Sequence, residues 1–369
     1  MRICGVIASL GAGGAERVML ELCAAWHTRG HEVTLLTLDD GNLDFYAVPA
    51  GVVRNALSLE SRSRSVTDAL RANVIRARVL RAGLRRARPE VIVSFTDRTN
   101  VLSLLAARGM AIPVVVSERT DPRRHDIGRA WSFLRGLMYP SASALVVQTE
   151  SVRKWANDVA SARRVAVIPN PLRRITASDV PAGERAPEIV AIGRLVPAKG
   201  FDVLIRAFAM LADDFPTWRL TIFGEGPERS ALQRLIDERG LTARVSLAGQ
   251  TTNPDAVLAA ASVFALPSRY EGFPNALLEA MSHGCACVAT HCDSGPAEML
   301  WDRQSGQLVP VDDVLRFGEA LATVMCDDPL RTVMGHRAQH AIERFAADTV
   351  LDAWDELFLQ VRPSARIAA

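Results

Sequence analysis

Lysine is almost missing from this sequence: of 43 cationic side chains only Lys154 and Lys199 are lysines, and arginine supplies the rest. No Asp-x-Asp triplet occurs, and the six cysteines (Cys4, Cys23, Cys285, Cys287, Cys292 and Cys326) lack paired metal-type spacing. Neither a carboxylate-held divalent ion nor a cysteine-held zinc is therefore expected. Several of these cysteines sit in apolar runs, where a reduced thiol acts as a small hydrophobe. No apolar run approaches the roughly 18 residues that cross a bilayer. The apolar opening from Ile3 to Leu10 leads into Gly11-Ala12-Gly13-Gly14 rather than a cleavage pattern, which fits a first strand. These absences argue against a secreted or integral membrane protein and place the chain in the cytoplasm, with room for peripheral attachment to the inner face of the cell membrane.

What is present suits a folded protein of two domains. The 369 residues exceed one ordinary domain, and 49% hydrophobic against 23% charged residues suffices for a sizeable core. The net charge of +2 conceals an asymmetry. Residues 1–180 hold 26 Arg and Lys against 16 Asp and Glu, while the remainder holds 17 against 25. A basic front half suits a partner carrying phosphate groups or an anionic lipid surface, or is simply a solvated arginine surface.

In the front half, the strand-like runs Val33 to Leu38, Val91 to Phe95, Val114 to Ser117, Ala144 to Val147 and Val165 to Ile168 alternate with helical stretches. The pattern breaks at Ile168-Pro169-Asn170-Pro171 and resumes after Pro187 with Ile189 to Ile192, Leu220 to Phe223, Val245 to Leu247, Val263 to Leu266 and Ala286 to Ala289. Such alternation predicts an α/β chain of two doubly wound, Rossmann-like domains facing a central cleft, with ligands at the carboxyl ends of the strands. The expected boundaries are 1–170, 171–345 and a C-terminal helix and tail, 346–369, that packs back on a domain, the first by expectation. Leu351, Trp354, Leu357 and Phe358 give that helix one apolar face.

The most specific signal is Ser268-Arg269-Tyr270-Glu271-Gly272-Phe273-Pro274-Asn275-Ala276-Leu277-Leu278-Glu279-Ala280, which follows a buried strand and opens a helix. Glu271 falls in the loop and Glu279 about two turns into the helix, so the two carboxylates serve different parts of one ligand. Amides near the helix start, from Phe273 to Ala276, suit a pyrophosphate. The spacing alone fits a solvated pair on a helix flank equally well.

This segment resembles the paired-glutamate motif of the family 4 retaining glycosyltransferases, which have the GT-B fold, and the likeness extends over nearly the whole chain. The resemblance implies an N-terminal acceptor-binding domain and a C-terminal nucleotide-sugar-binding domain. It implies that Glu279 accepts hydrogen bonds from the donor ribose and that Glu271 holds hydroxyls of the transferred sugar. In Gly193-Arg194-Leu195-Val196-Pro197-Ala198-Lys199-Gly200, Arg194 and Lys199 match family residues that contact the diphosphate. Such cations offset charge on a departing nucleoside diphosphate without a metal.

Further turns carry weaker signals. Gly224-Glu225-Gly226-Pro227 lets the backbone approach a ligand, and Gln250 and Thr251 stand where the family places the nucleobase. Gly295-Pro296-Ala297-Glu298 also matches a family turn near the donor. In the front domain, Gly13 and Gly14 resemble the family's flexible loop over the diphosphate and acceptor. Asp97, Glu118 and Arg119 each follow a strand and face the same end. The family often has a histidine in this region, and none stands at these positions.

The stretch Val66 to Arg88 reads as an amphipathic helix, with Val66, Leu70, Ala77 and Leu84 on one face and Arg71, Arg78 and Arg85 striped beside it. The stripe suits anionic headgroups or an acceptor pyrophosphate, or is a solvated flank of a sheet-packing helix. The expectation is a retaining, metal-independent hexosyltransferase without cofactor. It would move a hexose or N-acetylhexosamine from a nucleotide diphosphate sugar, UDP favoured, to a glycan or lipid-linked acceptor in cell-surface polysaccharide synthesis. A nucleotide-sugar epimerase of similar fold and a non-catalytic nucleotide-sugar-binding protein are the alternatives; no nucleic acid partner is expected.

Overall fold

A computed structural model of the chain describes residues 1–42, 44–59, 66–160, 164–173, 185–300 and 304–362, without the side chains of 66, 67, 69, 70 and 160. Most of the expected linker, the last seven residues, and the Val66 and Leu70 side chains of the basic stretch thus lie outside the described residues. The chain forms two compact units, Met1–Pro171 with Asp348–Ala369, and Leu172–Ala347.

The first unit is built on seven parallel strands: β1 (Arg2–Ile7), β2 (Glu32–Thr37), β3 (Val53–Ala56), β4 (Val91–Phe95), β5 (Val114–Ser117), β6 (Ala144–Val147) and β7 (Val165–Val167). Their spatial order is β3-β2-β1-β4-β5-β6-β7. β4, β5 and β6 are buried at every position, because helices cover both faces of a parallel sheet and leave no side for polar residues. One face packs the helix Gly14–Thr28 and the C-terminal helix Ala347–Val361. There Trp26 meets Trp354 edge-on at 5.7 Å and Phe358 at 5.5 Å, and Arg29 bonds Asp352 at 2.8 Å. The other face packs the helices Val66–Ala87, Asp97–Ala107 and Arg129–Met138, with Leu80, Leu84, Val101 and Met138 in one core.

The second unit repeats the plan with six parallel strands: β8 (Ala186–Ile192), β9 (Arg219–Phe223), β10 (Val245–Gly249), β11 (Ala261–Leu266), β12 (Ala286–Thr290) and β13 (Gln307–Val309), in the order β10-β9-β8-β11-β12-β13. Leu204, Phe208 and Phe317 fill the core on one face; Leu277, Met281 and Phe345 belong to the other. In both sheets the strand order reverses once, between β1 and β4 and between β8 and β11. Such reversals open a crevice at the carboxyl ends of the flanking strands, where ligands bind in this architecture.

Two strands escaped the sequence reading, and both lie at sheet edges. β3 is exposed or half-buried throughout and β13 is three residues long, so neither carries an apolar run. Among the described residues no helix is long and apolar enough to cross a membrane. The six cysteines are free thiols, five buried and Cys326 exposed. Burial pushes Cys285 and Cys292 up to about 11, which keeps them protonated and unreactive.

Candidate functional site

At the reversal in the second sheet, the turn after β8 meets the turn after β11. The turn after β8 runs from Gly193 through a short helical turn, Pro197–Lys199, to Gly200 at φ +62°, and the helix Phe201–Ala209 follows. Gly200 is required there, since a Cβ would overlap the Pro267 carbonyl oxygen. That close approach delivers Lys199 to the opposite turn, where its Nζ donates to Glu271 Oε1 at 2.6 Å. Ser268 Oγ donates to the same oxygen at 2.6 Å. Glu271 is buried and Lys199 half-buried, so the pair is shielded from bulk water on one side.

Neighbouring groups lock this geometry. Arg269 donates to Asp202 at 2.9 and 3.0 Å, to Asp312 at 2.7 Å and to the Pro197 carbonyl at 2.6 Å, tying the two turns together. Thr290, the last residue of β12, and Cys292, just beyond it, donate to the Ser268 carbonyl, and Ser294 donates to that of Glu271. A Cβ on Gly295, at φ +89°, would lie 2.6 Å from Pro274 Cδ and 3.7 Å from Glu271 Cβ, so this turn also packs on the glutamate loop.

The helix Asn275–Ser282 begins directly after that loop, and no side chain caps it at Pro274. Glu279 is buried in its second turn, one turn in rather than the expected two. Asn275 and Ala276 are half-buried at its start. The Phe273 ring instead packs against Phe345 at 5.5 Å, and Pro274 is buried, which leaves their main chains for any ligand.

Gly193, Gly224 and Gly249 bring the next strand ends together. Gly193 N donates to Phe223 O at 2.9 Å and Gly224 N to Gly249 O at 2.7 Å. Gly224 sits at φ +144°, and a Cβ there would overlap the Gly193 carbonyl oxygen. Arg194 is exposed, and among the described residues its guanidinium has no side-chain partner. Gln250 is exposed and Thr251 Oγ1 accepts from Asn253 N at 3.1 Å.

The first unit gathers its own polar cluster near the reversal between β1 and β4. Gly13 precedes the helix that opens at Gly14, and its amide donates to Gly11 O at 2.8 Å. Asp97 opens a helix after β4, and His125 Nε2 lies 3.5 Å from its Oδ2. Glu118 is buried, accepts from the Tyr139 hydroxyl, and lies 3.8 Å from Arg135. Burial pushes its carboxyl up to about 7 despite Tyr139 and Arg135, with Asp97 adding to the rise. Arg119 stacks 4.0 Å over the Phe95 ring and donates to Ser117 Oγ at 3.2 Å and to Asn170.

Arg71, Arg78 and Arg85 are all exposed, on a helix that ends at Ala87. Its buried face contains Leu80 and Leu84, whereas Val74 and Ile75 face outward at 49% and 55% exposure. Sequence reasoning gave no role to Ser268 or Arg269, although both stand inside the motif, and no local signal links His125 to Asp97.

Residues 174–341 match the family described as glycosyl transferases group 1, and residues 12–173 match glycosyltransferase family 4. The chain is 39% identical over 234 residues to an exopolysaccharide phosphotransferase of Streptomyces coelicolor, covering 61% of this chain but only 24% of that protein. It is 26% identical over 364 residues to the GalNAc-alpha-(1->4)-GalNAc-alpha-(1->3)-diNAcBac-PP-undecaprenol alpha-1,4-N-acetyl-D-galactosaminyltransferase of Campylobacter jejuni, covering 98% and 99% of the two chains. Among solved structures, a mutant of S. aureus TarM in complex with fondaparinux, alpha-GlcNAc-glycerol and UDP matches 97% of this chain and 100% of its own, at TM-score 0.80 and 13% identity.

Proposed function

The chain belongs to the family 4 glycosyltransferases and has the GT-B fold, and on that premise we propose that it transfers a hexose or N-acetylhexosamine, with retention, from a UDP-sugar to a glycan or lipid-linked acceptor in cell-surface polysaccharide synthesis. The observation that carries this reading is the Lys199–Glu271 contact of 2.6 Å across the reversal between β8 and β11. It joins a cation suited to diphosphate and a carboxylate suited to sugar hydroxyls in one place. UDP as donor is supported by its presence in the TarM complex, and a lipid-diphosphate acceptor by the name of the Campylobacter relative.

In the proposed reaction the anomeric C1–O bond to the diphosphate breaks and a bond from the acceptor oxygen to C1 forms on the same face. The acceptor proton passes to an oxygen of the leaving diphosphate. Arg194, Lys199 and amides at the start of the helix Asn275–Ser282 offset the charge on that leaving group, the part a metal plays elsewhere. Glu271 orients the sugar and Glu279 binds the donor ribose. Gln250 and Thr251 take the nucleobase end. Gly13, Gly14, Asp97, Glu118 and Arg119 belong to the acceptor side.

We place the protein at the inner membrane surface. Arg71, Arg78 and Arg85 supply positive charge there, and the exposed Val74 and Ile75 between them supply apolar contact. The test is incubation with UDP-linked hexoses and N-acetylhexosamines, with and without polyprenyl-diphosphate-linked sugars, in EDTA. An α-linked product that depends on the acceptor and survives chelation is expected. Rearranged UDP-sugar from donor alone would replace this reading with an epimerase, and a product that requires a divalent ion would overturn metal independence.

A further inference from the structure

Phe45 and Phe133 are the two phenylalanines among the exposed large hydrophobic side chains of the described residues, and Phe45, at 41% exposure, stands at the strand ends of the first unit. A ring left in water forfeits the free energy of burial unless something covers it. Its loop is tied in place from several directions. Phe45 N donates to Leu10 O at 2.9 Å, and the adjoining Asp44 is ion-paired with Arg54 of β3. Arg54 in turn bonds Asp39 Oδ1 at 3.0 Å and Thr37 Oγ1 at 2.9 Å. Tyr46 packs against the core and meets the Phe45 ring edge-on, with centroids 4.9 Å apart and planes at 87°.

This loop lies at the carboxyl ends of β1 and β2. Leu38 N and Asp39 N donate to Ala8 O at 2.9 and 3.0 Å, and Leu10 leads straight into the glycine loop that ends at Gly14. Exposed Asp40 and Asn42 stand in the same loop, joined by Asn42 N and Nδ2 donating to the Asp40 carboxylate at 3.0 and 2.7 Å. With Asp44 paired to Arg54, the exposed carboxylate of Asp40 and the amide of Asn42 make the surroundings polar, which disfavours an anionic lipid or an extended apolar partner. An exposed aromatic ring in the same loop as an exposed carboxylate and amide instead fits a pyranose. The C–H face of the sugar, slightly positive, stacks on the electron-rich ring face, and its hydroxyls bond the planar polar groups.

The geometry points to Phe45, with Asp40 and Asn42, as a stacking subsite for a pyranose ring of the acceptor glycan. This rests on the reading of the first unit as the acceptor side. The experiment is saturation-transfer NMR on the full chain, with the methyl α-glycosides of GlcNAc and GalNAc as probes, beside calorimetric titration of UDP. The wild type should saturate the C–H protons of one sugar face. Phe45→Ala and Phe45→Leu should each lose that signal at least fivefold, Phe45→Trp should retain it, and UDP affinity should be the same in all four. Full signal in Phe45→Leu would overturn stacking, since Leu keeps apolar bulk without a ring. A loss in every variant including Phe45→Trp, or a parallel loss of UDP affinity, would overturn it as well, by exposing a general disturbance of the unit. Failure of the wild type to bind UDP would sink the sugar-transfer reading while leaving the glycoside result to judge the subsite by itself.

Discussion

Lys199 Nζ lies 2.6 Å from Glu271 Oε1, and the two residues come from turns after β8 and β11, the strands that flank the reversal of the second sheet. Each needs the other side's geometry. Lys199 reaches across because Gly200 lets its turn press on Pro267, and Glu271 is aimed by Ser268 and by the Arg269 staple. In the proposed transfer, an ammonium so held would already be oriented toward the donor diphosphate, so little reorganisation would be needed as charge develops on the leaving group.

Replacing Lys199 by Ala should therefore lower turnover by about 10²–10³-fold, the effect of removing one preorganised charge-stabilising group. Stability should fall by only about 1–2 kcal/mol, because Lys199 is half-buried and Glu271 keeps its Ser268 bond. Turnover in single-cycle kinetics and urea unfolding check the two parts. Near wild-type turnover would remove Lys199 from the mechanism.

Glu279 is buried one helical turn beyond the glutamate loop, and in the proposed ribose contact a carboxylate would accept from two hydroxyls with more charge than an amide offers. Glu279→Gln should weaken UDP binding about 10-fold in calorimetry with the fold intact. An unchanged dissociation constant would refute the ribose contact.

The central strands were legible because β4, β5 and β6 are apolar at every position, as parallel strands covered on both faces must be. β3 and β13 were not, because edge strands satisfy no such demand. The turns holding Lys199 and Glu271 could be read from glycines and charges in the right place after a strand. The bond between them, the Arg269 staple and the approach of His125 to Asp97 could not, since these are contacts through space that no periodicity encodes. The basic helix was half legible: Leu84 is buried, but so is Leu80, and Val74 and Ile75 face outward.

Gly224 should tolerate no side chain. Its φ of +144° is a region that L-residues avoid, and a Cβ would overlap the Gly193 carbonyl oxygen, which is backbone and cannot swing aside. Gly224→Ala is expected to cost about 3 kcal/mol or more and to shift the turn carrying Arg194. Urea unfolding with UDP calorimetry checks both. Wild-type stability would show that the two turns can separate freely.

Glu118 supplies a pH test. Its folded-state carboxyl is raised to about 7 by burial, so the stability it contributes is fully present below its ordinary value of 4.5 and is lost as pH rises through about 7. The groups facing it are Tyr139, Arg135 and Asp97. Glu118→Gln keeps an acceptor for Tyr139 without titrating. Relative to wild type, the variant should gain about 3 kcal/mol between pH 4.5 and pH 8. A difference that stays flat, measured by urea unfolding across that range, would mean the carboxyl ionises as freely as in water.

Arg71, Arg78 and Arg85 are exposed on one helix together with Val74 and Ile75, so charge and apolar contact with a bilayer can be separated. Headgroup attraction is screened by salt, whereas burial of aliphatic side chains is not. Replacing the three arginines by Gln should reduce partitioning to phosphatidylserine-containing liposomes by on the order of 100-fold at low salt, leaving a small residue that 0.5 M salt (about a 4–5 Å screening length) does not remove. Val74→Ser with Ile75→Ser should do the reverse, abolishing the salt-resistant part and sparing the rest. Equal co-sedimentation of all variants would reduce the helix to a sheet-packing element with a solvated arginine flank, because neither component would then reach the membrane.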